Sequence, residues 1–169
     1  MKPLVAGKSL FVIILLVLGC SSQAAKKFPP AWVLNPIGDG IAATGCTRWS
    51  GSMSLDRQIA VANARIVLAQ RIEISITAVN KLLSSKTGNN KVKSSFESVS
   101  EQRTDQVLRS AATTRVEVVK FNRKNQLCAT VELGTKVTKR LFINVVKTSS
   151  ATLSIQEEAE LYTTFANVN

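Results

Sequence analysis

The chain has 169 residues, 45% hydrophobic and 20% charged, which suits one domain with a buried core and excludes a broadly disordered protein. It carries 22 Lys+Arg against 11 Asp+Glu, a net charge of +11, which points to an acidic partner: nucleic acid, anionic lipid or an acidic protein. It has no histidine, so the commonest general base and metal ligand are missing.

In chain order, residues 1–19 come first. Lys2 and Lys8 give a positive start, residues 10–18 (LFVIILLVL) are unbroken apolar sequence, and Gly19 is small. The apolar run is too short to span a bilayer, which takes about 20 residues, and reads as a secretory signal. Val17-Leu18-Gly19-Cys20 resembles a bacterial lipobox, in which an aliphatic, a variable and a small residue precede cysteine. That resemblance implies diacylglycerol on the Cys20 sulfur and cleavage before Cys20, which becomes the acylated first residue. Several acyl chains anchor a protein firmly, whereas one does so marginally. The alternative is an ordinary cleaved signal with a chance cysteine behind it. Ser21, Ser22 and Gln23 follow, with no aspartate to signal inner-membrane retention. The expected location is therefore the outer membrane, with the domain facing the periplasm. Cleavage removes Lys2 and Lys8 and no acid, lowering the net charge from +11 to +9. Export also argues against nucleic acid as the acidic partner.

Residues 20–37 read as a lipidated tether followed by a Pro-rich segment. Residues 28–36 (FPPAWVLNP) hold three prolines, which predict an extended path and no helix, with Trp32 pinning the segment to the domain. Residues 38–169 read as a single α+β domain. After a turn at residues 38–40, residues 41–49 (IAATGCTRW) alternate as a strand, with Ile41, Ala43 and Gly45 on one face and Ala42, Thr44, Cys46 and Arg48 on the other.

A long helix is expected over residues 55–83, capped by Ser54 with Asp56 in its first turn. Its main apolar stripe is Leu55, Ile59, Ala62, Ile66, Ala69, Ile72, Ile76, Val79 and Leu83, and a second row of small residues holds Ala60, Ala64 and Leu68. Residues 84–95 (SSKTGNNKVKSS) read as a flexible loop and residues 96–112 as a second, largely polar helix. Residues 114–133 carry the clearest hairpin signal, two β-rich runs around a polar turn at residues 122–125 (NRKN). Residues 135–149 are ambiguous between helix and strand and lean to helix. Residues 154–167 form a helix with a capping box from Ser154 and Glu157 and an apolar face of Leu161, Tyr162 and Phe165. The order predicts a small three-strand sheet with a long helix and shorter helices packed on one face. Its open face and free edges are natural assembly surfaces.

With Cys20 lipidated, Cys46 and Cys128 remain, an even number in an oxidising compartment. Both fall on the polar face of their strands. If the strands are neighbours the thiols could meet as a disulfide; otherwise they are two unconnected small residues. No cysteine spacing suits zinc, and no Gly-rich phosphate loop follows a strand. Neither an enzyme nor a metal or organic cofactor is expected, beyond the covalent acyl and diacylglycerol groups on Cys20. Arg115, Lys120, Arg123 and Lys124 on the hairpin, and Lys136, Lys139 and Arg140 after it, read first as a solvated face. The hairpin set is also the candidate contact for an acidic partner or lipid phosphates.

The lipobox, "PPAW", the "ATG" strand, "AVANARIVLAQRIEISI" and the hairpin together resemble the small conserved bacterial outer-membrane lipoprotein family of the LPP-twenty type. The resemblance covers residues 30–133, with "EEAELYTTF" as a further echo. It implies a non-enzymatic α+β domain held at the outer membrane. It also implies self-association, in flagellar members as rings or discs of the basal structure needed for motility. Flagellar basal-body or other envelope proteins are then the expected partners. The alternative is a periplasmic adaptor or binding module that uses the basic hairpin on an acidic partner.

Overall fold

The computed structural model describes residues 28–87, 107–148 and 151–167. The elements in order are α1 (Ala31–Leu34), β1 (Ile41–Arg48), α2 (Met53–Thr87), β2 (Ala112–Phe121), β3 (Lys124–Leu133), α3 (Thr135–Thr148) and α4 (Ile155–Ala166). The strands form one antiparallel sheet in the order β1-β3-β2, so the fold is α+β with a three-strand sheet. The β3 alternation works as expected: Leu127, Ala129, Val131 and Leu133 are fully buried beneath α2 and the C-terminal helices.

The sheet depends on how closely α2 lies against β1. A Cβ on Gly45 would collide with the backbone nitrogen of Ala64 and the carbonyl carbon of Asn63. Glycine at this strand position therefore lets two backbones touch. Around that contact, Asn63 Nδ2 donates to Cys46 O at 3.0 Å and Arg71 Nη1 to Ala42 O at 2.9 Å. Both carbonyls lie on the outer edge of β1, so α2 side chains take up two acceptors of an edge that would otherwise be open to another strand.

This contact corrects the expected helix stripe. The buried row in the first half of α2 is the small one, Ala60, Ala64 and Leu68, each 0% exposed. Leu55, Ile59 and Ile66, expected inside, are 53%, 40% and 59% exposed. The second half follows expectation, with Ile72, Ile76, Val79 and Leu83 buried. Each four-residue step advances about 40° around the axis, so the buried row rotates along the helix. It faces the sheet first, then α3 and α4, which stack Phe142 edge-on to Tyr162 with centroids 5.3 Å apart.

Other boundaries also shift. α2 starts at Met53, so Ser54 lies inside it and is not its cap. Instead, Ser50 donates to the Asp56 carboxylate from its backbone N–H at 2.7 Å and its hydroxyl at 2.8 Å, and buried Asp56 ties the turn to the helix. The helix extends through Ser84–Thr87, where a loop is expected; residues 88–95 lie outside the described residues. Of the second helix expected over residues 96–112, residues 96–106 lie outside them too, 107–109 are helical, and Ala112 already belongs to β2. The hairpin turn is tighter than the four residues expected, because Lys124 pairs with Phe121. Only Asn122 and Arg123 form the loop, at φ 49° and 60°, the left-handed pair of a type I′ turn. α3 is a helix, and the Ser154–Glu157 capping box is present at the start of α4.

The residue 28–36 segment is not wholly extended: α1 forms a helical turn at Ala31–Leu34. Pro29 and Pro30 precede that turn, where a missing N–H costs nothing, and Pro36 follows it. The prolines bracket the helix and do not prevent it.

The Gly45 contact predicts that Gly45→Ala lowers stability by about 1–3 kcal/mol, the range for overpacking a close contact. Urea unfolding checks this, with Gly134→Ala as the control, because a Cβ there meets nothing within 4 Å. Equal small losses would contradict the close-approach reading.

Candidate functional site

The face of the sheet turned away from α2 carries the side chains singled out by the sequence. Cys46 and Cys128 are directly opposed in the β1–β3 register and joined by a disulfide, with Cα atoms 4.0 Å apart. The reason lies in the ladder. Cys46 points its carbonyl outward to Asn63, so Cys46–Cys128 is a non-hydrogen-bonded pair, where cross-strand side chains come closest.

One pair along, Thr44 opposes Thr130, and their hydroxyls are 2.9 Å apart. Thr44 Oγ1 also donates to Trp32 O at 3.3 Å. The Thr44 proton therefore goes to Trp32, and Thr130 must donate to Thr44. Arg115 is Thr130's partner on β2, and its guanidinium lies 4.1 Å from the Trp32 ring centroid. Arg115 also pairs with Glu117 at 2.6 Å. Cation–π stacking of this kind is worth about 0.5–1 kcal/mol at exposed sites. Trp32 is thus an anchor, held by a carbonyl on one side and a cation on the other.

The segment after α1 is fastened at a second point. The Glu132 carboxylate accepts from the backbone N–H of Asp39 at 2.6 Å and of Gly40 at 3.2 Å, and Thr135 Oγ1 donates to Asp39 O at 2.8 Å. Gly40 is required here because a Cβ would collide with Leu133 O. Residues 28–40 form a strap pinned at Trp32 and at Asp39–Gly40. The sheet is therefore not bare on its second face: α1 lies there, whereas all helices were expected on one face.

The hairpin cations do not gather on one face of the sheet. Arg115 is committed to Trp32 and Glu117. Lys120, Arg123 and Lys124 are exposed at the tip, but Lys120 follows the Val116–Val118 face while Lys124 lies on the Phe121 face. They surround the tip and do not converge. Lys136, Lys139 and Arg140 are exposed on α3. Cys20 lies outside the described residues. Among the described residues, no three His, Cys, Asp or Glu side chains gather as a metal site, and no helix is long and apolar enough to cross a membrane. The strap's fastening through Glu132 and the Thr44–Thr130 pair is not visible in the sequence. Its only signal was polar residues on a strand face otherwise expected to be open.

No protein-family model matches the chain, and no curated protein matches it.

The cystine closes a loop across 82 residues of sequence. Constraining the unfolded chain over that length is worth about 4 kcal/mol in the loop-entropy description. Cys46→Ala with Cys128→Ala should therefore lower the unfolding free energy by about 2–4 kcal/mol. The loss should match that seen on reduction of the unmodified chain, with denaturation followed by far-UV circular dichroism. A reduced chain as stable as the oxidised one would contradict this.

Proposed function

We propose that the protein is an exported, non-enzymatic lipoprotein of the bacterial outer membrane. Cys20 anchors it, and its domain faces the periplasm, where it serves as an assembly component of the envelope. The observation that carries this reading is the lipobox at Val17-Leu18-Gly19-Cys20. It is supported by the disulfide between the other two cysteines, a bond that persists in oxidising compartments.

Self-association between copies is the second part of the reading. α2 side chains take up two carbonyls on the outer edge of β1, whereas β2 is the opposite edge strand of the sheet. Among the described residues no strand pairs with the outer edge of β2, and pairing along it is the proposed route for a second copy. A role in a flagellar basal ring or disc is the most specific form of this proposal. It rests on the sequence resemblance. The adaptor reading is weaker, because Arg115 is committed within the fold and the tip cations point to different faces.

Cell fractionation tests the anchor. Cys20→Ala should move the chain out of the outer-membrane fraction, and its retention there would refute lipid anchoring. Negative-stain microscopy of detergent-extracted wild-type protein should show rings or other large assemblies. Monomers alone would refute the assembly role.

A further inference from the structure

We propose that the outward side of the strap, carrying Phe28, Leu34 and Ile37, rests on the lipid surface, so that the domain sits strap-down on the membrane. This rests on the reading of Cys20 as the lipid anchor. Phe28, Leu34 and Ile37 are 69%, 54% and 95% exposed, three large apolar side chains within ten residues of one strap. Trp32 turns inward to Arg115 and Thr44. Leu34, two residues later in the same helical turn, lies on the opposite side of α1 and faces away from the sheet. Leu34 and Ile37 lie between the fastenings at Trp32 and Asp39–Gly40, which hold them on display, and Phe28 continues the strap just before the first of these points.

The length of the connection identifies the occupant. Phe28 is eight residues after Cys20, and eight residues span at most about 29 Å when fully extended. An acylated Cys20 therefore confines the strap to the neighbourhood of the leaflet from which it emerges. Lys26 and Lys27 immediately precede the strap and match the phosphates of an anionic surface. Apolar side chains flanked by basic residues are the composition of segments that lie in a membrane interface.

The test uses the acylated full chain in vesicles of phosphatidylethanolamine with a minority of phosphatidylglycerol, part of the lipid brominated on its acyl chains. Ile37→Trp reports on the strap. Ile155→Trp is the control, because Ile155 is 91% exposed at the start of α4, on the helical side of the sheet. The signal of the unmodified chain, from Trp32 and Trp49, is subtracted. Bromolipid should quench the I37W fluorescence about twofold or more beyond I155W, as expected for a side chain seated ~5–10 Å into the interface. Equal quenching of the two, in a chain that partitions into a detergent phase as an acylated protein, overturns the proposal and leaves the anchor intact. Equal quenching with I37W copies cross-linked through the strap also overturns it and assigns the patch to a second copy. A chain that stays in the aqueous phase overturns the anchor and this proposal together.

Discussion

Two backbones touch where α2 crosses β1, and the rest of the domain is arranged around that contact. Gly45 supplies the space on the strand, and Ala60 and Ala64 supply it on the helix. With the backbones this close, Asn63 and Arg71 can reach the outer carbonyls of Cys46 and Ala42. Those bonds fix which residues of β1 face outward and which face β3. Cys46 falls in the set whose backbone faces away from β3, so its side chain meets Cys128 at the closest kind of cross-strand pair. A packing requirement on one face of the sheet thereby sets the chemistry of the other.

The two faces divide the work. The helical face holds the core, from the small-residue contact at Ala64 to the aromatic stack of Phe142, Tyr162 and Phe165. The opposite face holds polar pairs in register: Thr44–Thr130–Arg115 in one row and Cys46–Cys128–Glu117 in the next. Trp32 closes over the first row and brings the strap with it. The strap is the segment nearest in sequence to Cys20, so the face that carries the cystine is also the face joined most directly to the proposed anchor. Arg115, which the charge pattern offers to an outside partner, spends its charge holding that strap in place.

Much of the fold was legible because its signals are local. The alternation in β1 and β3, the polar hairpin turn and the Ser154–Glu157 cap each depend on neighbours a few residues away, and these elements form where expected, with the turn narrowed to Asn122 and Arg123. The stripe on α2 was misread for a longer-range reason. A large aliphatic row such as Leu55, Ile59 and Ile66 looks like a core face, but only the strand opposite reveals that small residues are needed there. Pro29 and Pro30 misled in the same way, because a proline that forbids a helix interior suits a helix start. The faces of the two cysteines could be read from alternation, while their meeting depended on strand order, which no single segment encodes. The cations of the hairpin were visible as a count, but their division between two faces and the capture of Arg115 by Trp32 required the register.

On the proposed function, the mature chain begins at an acylated Cys20 and carries its remaining two cysteines as one bridge. The most direct measurement is the intact mass of protein purified from outer membranes, taken before and after reduction. The account predicts a chain lacking residues 1–19, heavier than its sequence by a diacylglycerol and an acyl group, and gaining two hydrogens on reduction. A mass that retains residues 1–19, a Cys20 without lipid, or no gain on reduction would contradict it.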